Sequence, residues 1–229
     1  MRTIVYLLML LTVGVTVAAD RVYTVHAKQL PQGAPEGNVE LFGHLYALSL
    51  DTETKVATWC CYRATEADGA SRNSINRNWL HALPDITLEK SDYRGPEYDI
   101  GHLTPLATFK ASPHAFELNL LANCAPQTPD LNRGPWVKME ERVRDLANDH
   151  DHVDVAVGPL YERDMPPLPN SDEPHRVPSH FWAVVSPDRG PSECYVIPQD
   201  CKRGDTLAAF AVSINEVEDR SGLTFTDSR

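Results

Sequence analysis

Apolar runs in this chain are short and separated by long, polar, proline-punctuated stretches. The first run is different in kind. Met1 and Arg2 precede an apolar stretch from Ile4 to Val17, and Val17 and Ala19 occupy the small-residue positions that a signal peptidase reads. A charged start, a short apolar core and a small-residue exit describe a secretory signal peptide over residues 1–19. The run falls short of the about 20 residues that a membrane-spanning helix needs. Farther on, Leu41–Leu50 and Val56–Arg63 read as two strands joined by the polar turn Asp51–Lys55. Val153–Val157 reads as a strand closed by Gly158-Pro159, and His180–Val185 and Cys194–Ile197 as two more. Trp136, Met139, Val143 and Leu146 recur at helical spacing, so a helix is predicted over Pro135–Asn148, with Pro135 in its first turn. A second helix is expected over Leu207–Val217. Residues 20–40, 64–98 and 166–174 carry the breakers of loops. Strands and helices interspersed with long loops predict an α+β fold, a central antiparallel sheet flanked by helices, in one domain over residues 20–229.

Composition adds two constraints. Hydrophobic residues make up 42% and charged residues 23% of the chain, which is ordinary globular content. Without residues 1–19 the chain keeps 20 basic against 32 acidic side chains, a net charge of −12. Such a chain is no tight stoichiometric binder of nucleic acid, although a local basic patch on an enzyme remains compatible with it. Export, to the periplasm or outside the cell, would permit disulfides among Cys60, Cys61, Cys124, Cys194 and Cys201. Cys194 and Cys201 are the favoured pair. Cys60 and Cys61 point to opposite faces of their strand, and one of them could reach Cys124. No CxxC pairing suggests metal binding by these thiols.

The chemistry is concentrated between Asp99 and Arg144. The segments are Asp99-Ile-Gly-His102, Asn123-Cys-Ala-Pro-Gln127, Asn132-Arg-Gly-Pro-Trp136 and Glu140-Glu-Arg-Val-Arg144. In order and spacing they resemble the DNA/RNA non-specific endonuclease family, the ββα-metal nucleases, which write Asp-Arg-Gly-His, Asn-x-x-Pro-Gln and Asn-x-Gly-x-Trp followed by Glu and Arg on a helix. Trp59–Arg63, Asn76–Trp79, Val157–Tyr161, Val177–Trp182 and Glu216–Phe225 extend the resemblance over residues 40–226.

The resemblance implies a secreted hydrolase acting on DNA and RNA, with His102 as general base and Asn132 as ligand of Mg²⁺ or Mn²⁺. It also implies supporting roles for Glu140, Arg144, Arg77 and Asn123. These roles make chemical sense. Neutral imidazole can take a proton from water near neutral pH. Mg²⁺ prefers oxygen donors and keeps several waters, so one protein oxygen can suffice. Glu140 lies about two helical turns past Asn132 and Arg144 one turn beyond that, so both fall near one face. Guanidinium groups at Arg77 and Arg144 suit phosphate oxygens. Asn123 would orient the site, and Asp99 reads as structural. Two positions depart from the family pattern. Ile100 stands where it has Arg, and Ala183 where many relatives have Lys. The loss of a charge-assisted contact at Ile100 predicts a slower enzyme, or compensation by Arg94 or Arg133, or a relative that binds nucleic acid without cleaving it. Asp149-His-Asp-His152, His175 and His180 read as solvated loop and surface positions rather than metal ligands. A homodimer is left open.

Overall fold

The structure is a computed structural model that describes residues 3–6, 30–36, 38–69 and 78–225. Most of the predicted signal segment, and Arg77, lie outside the described residues. In chain order the strands are β1 (Thr3–Tyr6), β2 (Val39–Phe42), β3 (Tyr46–Asp51), β4 (Val56–Ala64), β5 (Asp99–His102), β6 (Cys124–Gln127), β7 (Val153–Leu160), β8 (His180–Pro187), β9 (Glu193–Pro198) and β10 (Ala211–Val212). The helices are α1 (Glu66–Gly69), α2 (Pro129–Leu131), α3 (Val137–Asp149) and α4 (Ile214–Ser221). Eight strands form one sheet in the order β1-β2-β3-β4-β7-β8-β9-β10, and β5 pairs with β6 in a separate ribbon. Every pairing is antiparallel except that of β1 along β2. The chain therefore has the α+β fold with a central antiparallel sheet. Among the described residues, no helix is long and apolar enough to cross a membrane.

The sheet is buried on both faces, and strand periodicity sorts its side chains between them. From β4 and β8, Cys60, Tyr62, Phe181, Ala183 and Val185 enter the larger core, while Trp59, Cys61, Trp182 and Val184 enter the smaller one. Helix α3 closes the larger core with Met139, Val143, Leu146 and Ala147, as its apolar stripe predicts. Helix α4 closes the smaller core through Val217. Removing such side chains from water stabilises the fold by about 25 cal/mol per Å² of apolar surface.

Three of the predicted elements come out differently in the structure. The Leu41–Leu50 run is two strands, because the chain turns back at Gly43, whose N–H donates to the Tyr46 carbonyl at 2.9 Å. Strand β7 continues through Gly158-Pro159 to Leu160. Its register with β4 ends at Val157, whereas that with β8 runs on to Leu160. Pro159 therefore lies where β7 has a neighbour on one side only, the position in which a sheet tolerates a missing N–H. Leu207–Val217 is not one helix. A 3₁₀ turn at Leu207–Phe210 leads into β10, and α4 starts only after Ser213, whose side chain caps it by accepting from Glu216 N–H at 3.1 Å.

All five cysteines are free and buried, so the expected disulfides are absent. Cys194 and Cys201 belong to cores on opposite faces of the sheet. The extended run from Cys194 to Pro198 alone covers about 13 Å, twice the Cα separation a disulfide accepts. Cys60 Sγ lies 3.0 Å from Thr104 Oγ1, and the Cys124 thiol donates to the Leu120 carbonyl at 3.5 Å, so neither thiol is directed at the other.

Candidate active site

The β5–β6 ribbon pairs Asp99 with Gln127, Ile100 with Pro126, Gly101 with Ala125 and His102 with Cys124. Strand alternation puts Ile100 and His102 on one face, and both line a cleft of about 630 Å³. The chain just past His102 is held by Asn123, which is fully buried. Its Oδ1 accepts from Thr104 N–H at 2.9 Å, and its Nδ2 donates to the carbonyls of Thr104 and Leu118, both at 3.0 Å. Trp136 Nε1 donates to the His102 carbonyl at 3.1 Å. The imidazole itself stacks on Trp79 with ring centroids 5.0 Å apart. The backbone and the ring plane of His102 are thus both fixed.

Asn132 reaches the same cleft from the other side. Thr128 caps α2 and Pro129 follows it, an ordinary helix start. Asn132 keeps helical angles, then Gly134 leaves them at φ −125° and ψ −112° before α3 begins at Val137. A Cβ on Gly134 would stand 2.6 Å from Arg203 Cα, so only glycine fits this kink. The kink explains why the helix starts two residues later than its apolar spacing suggested. The Asn132 Nδ2 donates to Asp99 Oδ2 at 2.9 Å, which leaves Oδ1 as the oxygen it can offer to a ligand. Arg133 grips the same carboxylate through Nε at 2.8 Å and Nη2 at 2.6 Å. Partial burial alone would raise the Asp99 carboxyl, but the Arg133 and Asn132 hydrogen bonds and the charges of Arg133 and Arg203 hold it below the ordinary aspartate value.

The described lining of the cleft is Trp79, Asp99, Ile100, His102, Leu106, Ala107, Asn132, Arg133, Val137 and Glu140. His102, Asn132 and Glu140 are thereby brought together. Asn123 is placed beneath the cleft as a brace and does not line it. Arg144 follows Glu140 on α3 but is not among the lining residues, and its Nη1 is buried without a hydrogen-bond partner. Arg94 is on the surface, so of the two expected compensating arginines only Arg133 is at the cleft. Ala183 is fully buried in the core, away from the cleft lining. Two carboxylates against one guanidinium give the described lining a formal charge of −1 with His102 neutral.

A family model described as DNA/RNA non-specific endonuclease matches residues 26–229. The chain belongs to that family. It is 36% identical over 205 residues to a nuclease of Serratia marcescens, a match covering 83% of this chain and 77% of that protein. It is 29% identical over 206 residues to the mitochondrial endonuclease G of Homo sapiens, covering 79% of this chain and 67% of that one. Among solved structures, a chain of the EndoG/EndoGI complex superposes with a TM-score of 0.71 at 27% identity, covering 81% of this chain and 84% of that one.

The donor set of this family member fits the hard divalent ion that the family implies. Mg²⁺ takes oxygen ligands and retains waters. Asn132 presents an amide oxygen whose nitrogen is already committed, Glu140 adds a carboxylate, and the cleft has room for an ion with its waters. The negative lining favours a cation and, without one, disfavours phosphate.

A second cluster escaped the sequence reading. His44, His114 and Glu117 bring one ligand atom each to within 4.8 Å of one another, a grouping that could hold a divalent metal ion. Their separation along the chain hid it; only the His114–Glu117 spacing of three is local. Partial burial first, and the neighbouring His44 second, hold His114 below the ordinary histidine value. His150 Nδ1 lies 2.9 Å from Asp188 Oδ1, and His152 Nε2 lies 3.5 Å from Asp154 Oδ2.

Proposed function

We propose that this chain is a divalent-metal-dependent endonuclease that hydrolyses phosphodiester bonds of DNA and RNA with little sequence preference. The observation that carries the proposal is the convergence of His102, Asn132 and Glu140 on one cleft. Asn132 Oδ1 would hold Mg²⁺ or Mn²⁺, with Glu140 placed for the ion's waters, and the ion would supply charge neutralisation at the phosphate and the leaving oxygen. His102, its ring plane set by Trp79, takes the proton from the attacking water. The new P–O bond forms as the P–O3′ bond breaks, and O3′ takes a proton from solvent water, giving a 5′-phosphate and a 3′-hydroxyl. Arg133 lines the cleft with its guanidinium held by Asp99, and Arg144 and Arg77 are the arginines that family resemblance offers for phosphate. Asn123 acts through the position of His102.

The test is degradation of plasmid and of RNA by the purified protein, with Mg²⁺ and with a chelator. Turnover should need the ion, and His102→Ala should lower it by about a thousandfold. Unchanged activity in His102→Ala would overturn the assignment. Ile100 in the cleft favours one second reading, a relative that binds but does not cleave. Binding in a gel shift without turnover in Mg²⁺ or Mn²⁺ would establish it. We further propose export after cleavage at Ala19, on the pattern of residues 1–19. N-terminal sequencing of the exported protein should then begin at Asp20.

A further inference from the structure

Away from the cleft, the β2–β3 turn meets the 3₁₀ segment Ala115–Asn119 through three side chains. Glu117 has only 9% of its side chain exposed and receives His44 N–H on Oε2 at 2.9 Å. Its Oε1 lies 2.5 Å from His44 Nδ1 and 3.7 Å from His114 Nδ1. The two imidazoles are nearly parallel, 5° apart in plane, with centroids 3.7 Å apart. Gly43 makes the approach possible, since a Cβ there would stand 2.9 Å from Glu117 Oε2. Two imidazolium ions cannot share one carboxylate at this spacing without repulsion. A dication with two neutral imidazoles and one carboxylate around it removes that conflict.

We propose that His44, His114 and Glu117 form a second metal site, for a borderline transition ion of the Zn²⁺ class. The donor set decides the class. Two imidazole nitrogens and a carboxylate oxygen suit Zn²⁺, Co²⁺ or Ni²⁺, whereas Mg²⁺ wants oxygen alone. Tetrahedral Zn²⁺ with ligands at about 2.0–2.1 Å puts donors about 3.3 Å apart. Reaching that spacing asks only for rotation of two rings whose side chains are 41% and 37% exposed, about a fixed carboxylate. The exposed side leaves the fourth position to water.

The ion ties together two parts of the chain that back the cleft. The Tyr46 hydroxyl donates to the Glu117 carbonyl at 3.2 Å, across the same junction. The 3₁₀ segment ends at Asn119, whose carbonyl accepts Leu80 N–H at 2.9 Å, next to the Trp79 that stacks on His102. None of the three ligands lines the cleft, so the site stabilises the protein without supplying the nuclease ion.

The test keeps the two sites apart. The metal-free full-length protein is titrated with Zn²⁺ by calorimetry and with Co²⁺ by visible absorption. The Asn132→Ala/Glu140→Ala double variant, which removes the cleft side chains proposed to hold the nuclease ion and its waters, is treated alike. One ion should bind in both proteins, resist excess Mg²⁺ and raise Tm. Adding His44→Ala or His114→Ala should weaken binding at least tenfold and abolish the Tm shift. In the otherwise wild-type protein these two substitutions should leave Mg²⁺-dependent nuclease activity unchanged. The proposal falls if Zn²⁺ does not bind, if the histidine variants bind it as tightly, if Mg²⁺ displaces it, or if the double variant loses it. The last outcome would place the ion in the cleft. Failure of the nuclease assignment would leave these results unaffected.

Discussion

Asn132 donates its side-chain amide to the carboxylate of Asp99 at 2.9 Å, across 33 positions of sequence. The bond joins the end of α2 to the start of β5 and fixes which way the Asn132 oxygen faces. Asp99→Asn should leave the fold intact and weaken Mg²⁺ about tenfold, the usual scale for removing a partner that orients a metal ligand. Titration of activity against Mg²⁺ measures it, and an unchanged half-saturation would show that Asn132 needs no such partner. The pH dependence follows from the lowered carboxyl. A group held below its unfolded value of about 3.8 contributes stability above that pH and loses it as pH falls through the folded value. The Tm gap between the wild type and Asp99→Asn should therefore be steady above pH 5 and close in stronger acid. A gap that widens as pH falls contradicts this.

Ile100 lines a cleft whose described residues include one cation, and that cation is already matched by Asp99. Ile100→Arg should therefore raise kcat/KM on DNA about tenfold, the scale of one charge-assisted phosphate contact made in the transition state. Steady-state kinetics at fixed Mg²⁺ checks it. No gain would mean that phosphate does not pass beside residue 100.

Gly134→Ala would press a methyl group to 2.6 Å from Arg203 Cα, and the atoms it meets are the Arg203 backbone, which no side-chain rotation can clear. The expected cost is about 1–3 kcal/mol of stability. Because the displaced kink carries Asn132, Mg²⁺ affinity should fall with it. Denaturant unfolding and Mg²⁺ titration on the same sample report the two effects. A variant of wild-type stability would show that the kink gives way freely.

Five buried thiols predict five reactive groups per chain when the protein is denatured without reductant, and reductant should leave Tm where it was. In the native protein they should react slowly. Burial, partly offset by the hydrogen bond with Thr104, pushes the Cys60 thiol up to about 12, and burial lifts Cys194 and Cys201 to about 11. Thiol titration giving three groups or one would show a disulfide after all.

The parts of the fold that the sequence revealed are those with local causes. The β3–β4 hairpin, the apolar stripe of α3 and the chemistry of Asp99–Glu140 each declare themselves within a few residues of spacing. Asp99 reads as structural, and the structure gives it the role of anchor to Asn132 and Arg133. What the sequence concealed depends on distant partners. The turn at Gly43 is secured by a carboxylate from residue 117, so an apolar run that looks continuous breaks there. The kink at Gly134 answers to the backbone at Arg203. Export chemistry suggested disulfides, yet the sheet parts Cys194 from Cys201.

Among the described residues, every one that lines the cleft except Trp79 falls between Asp99 and Glu140. A ribbon, a bent helix and the turn between them hold the reacting groups, while the large sheet only supplies a wall to lean on. A cleft whose walls come almost entirely from one passage of chain can change its backing strands, gain or lose edges, and drift in the remaining sequence without being taken apart.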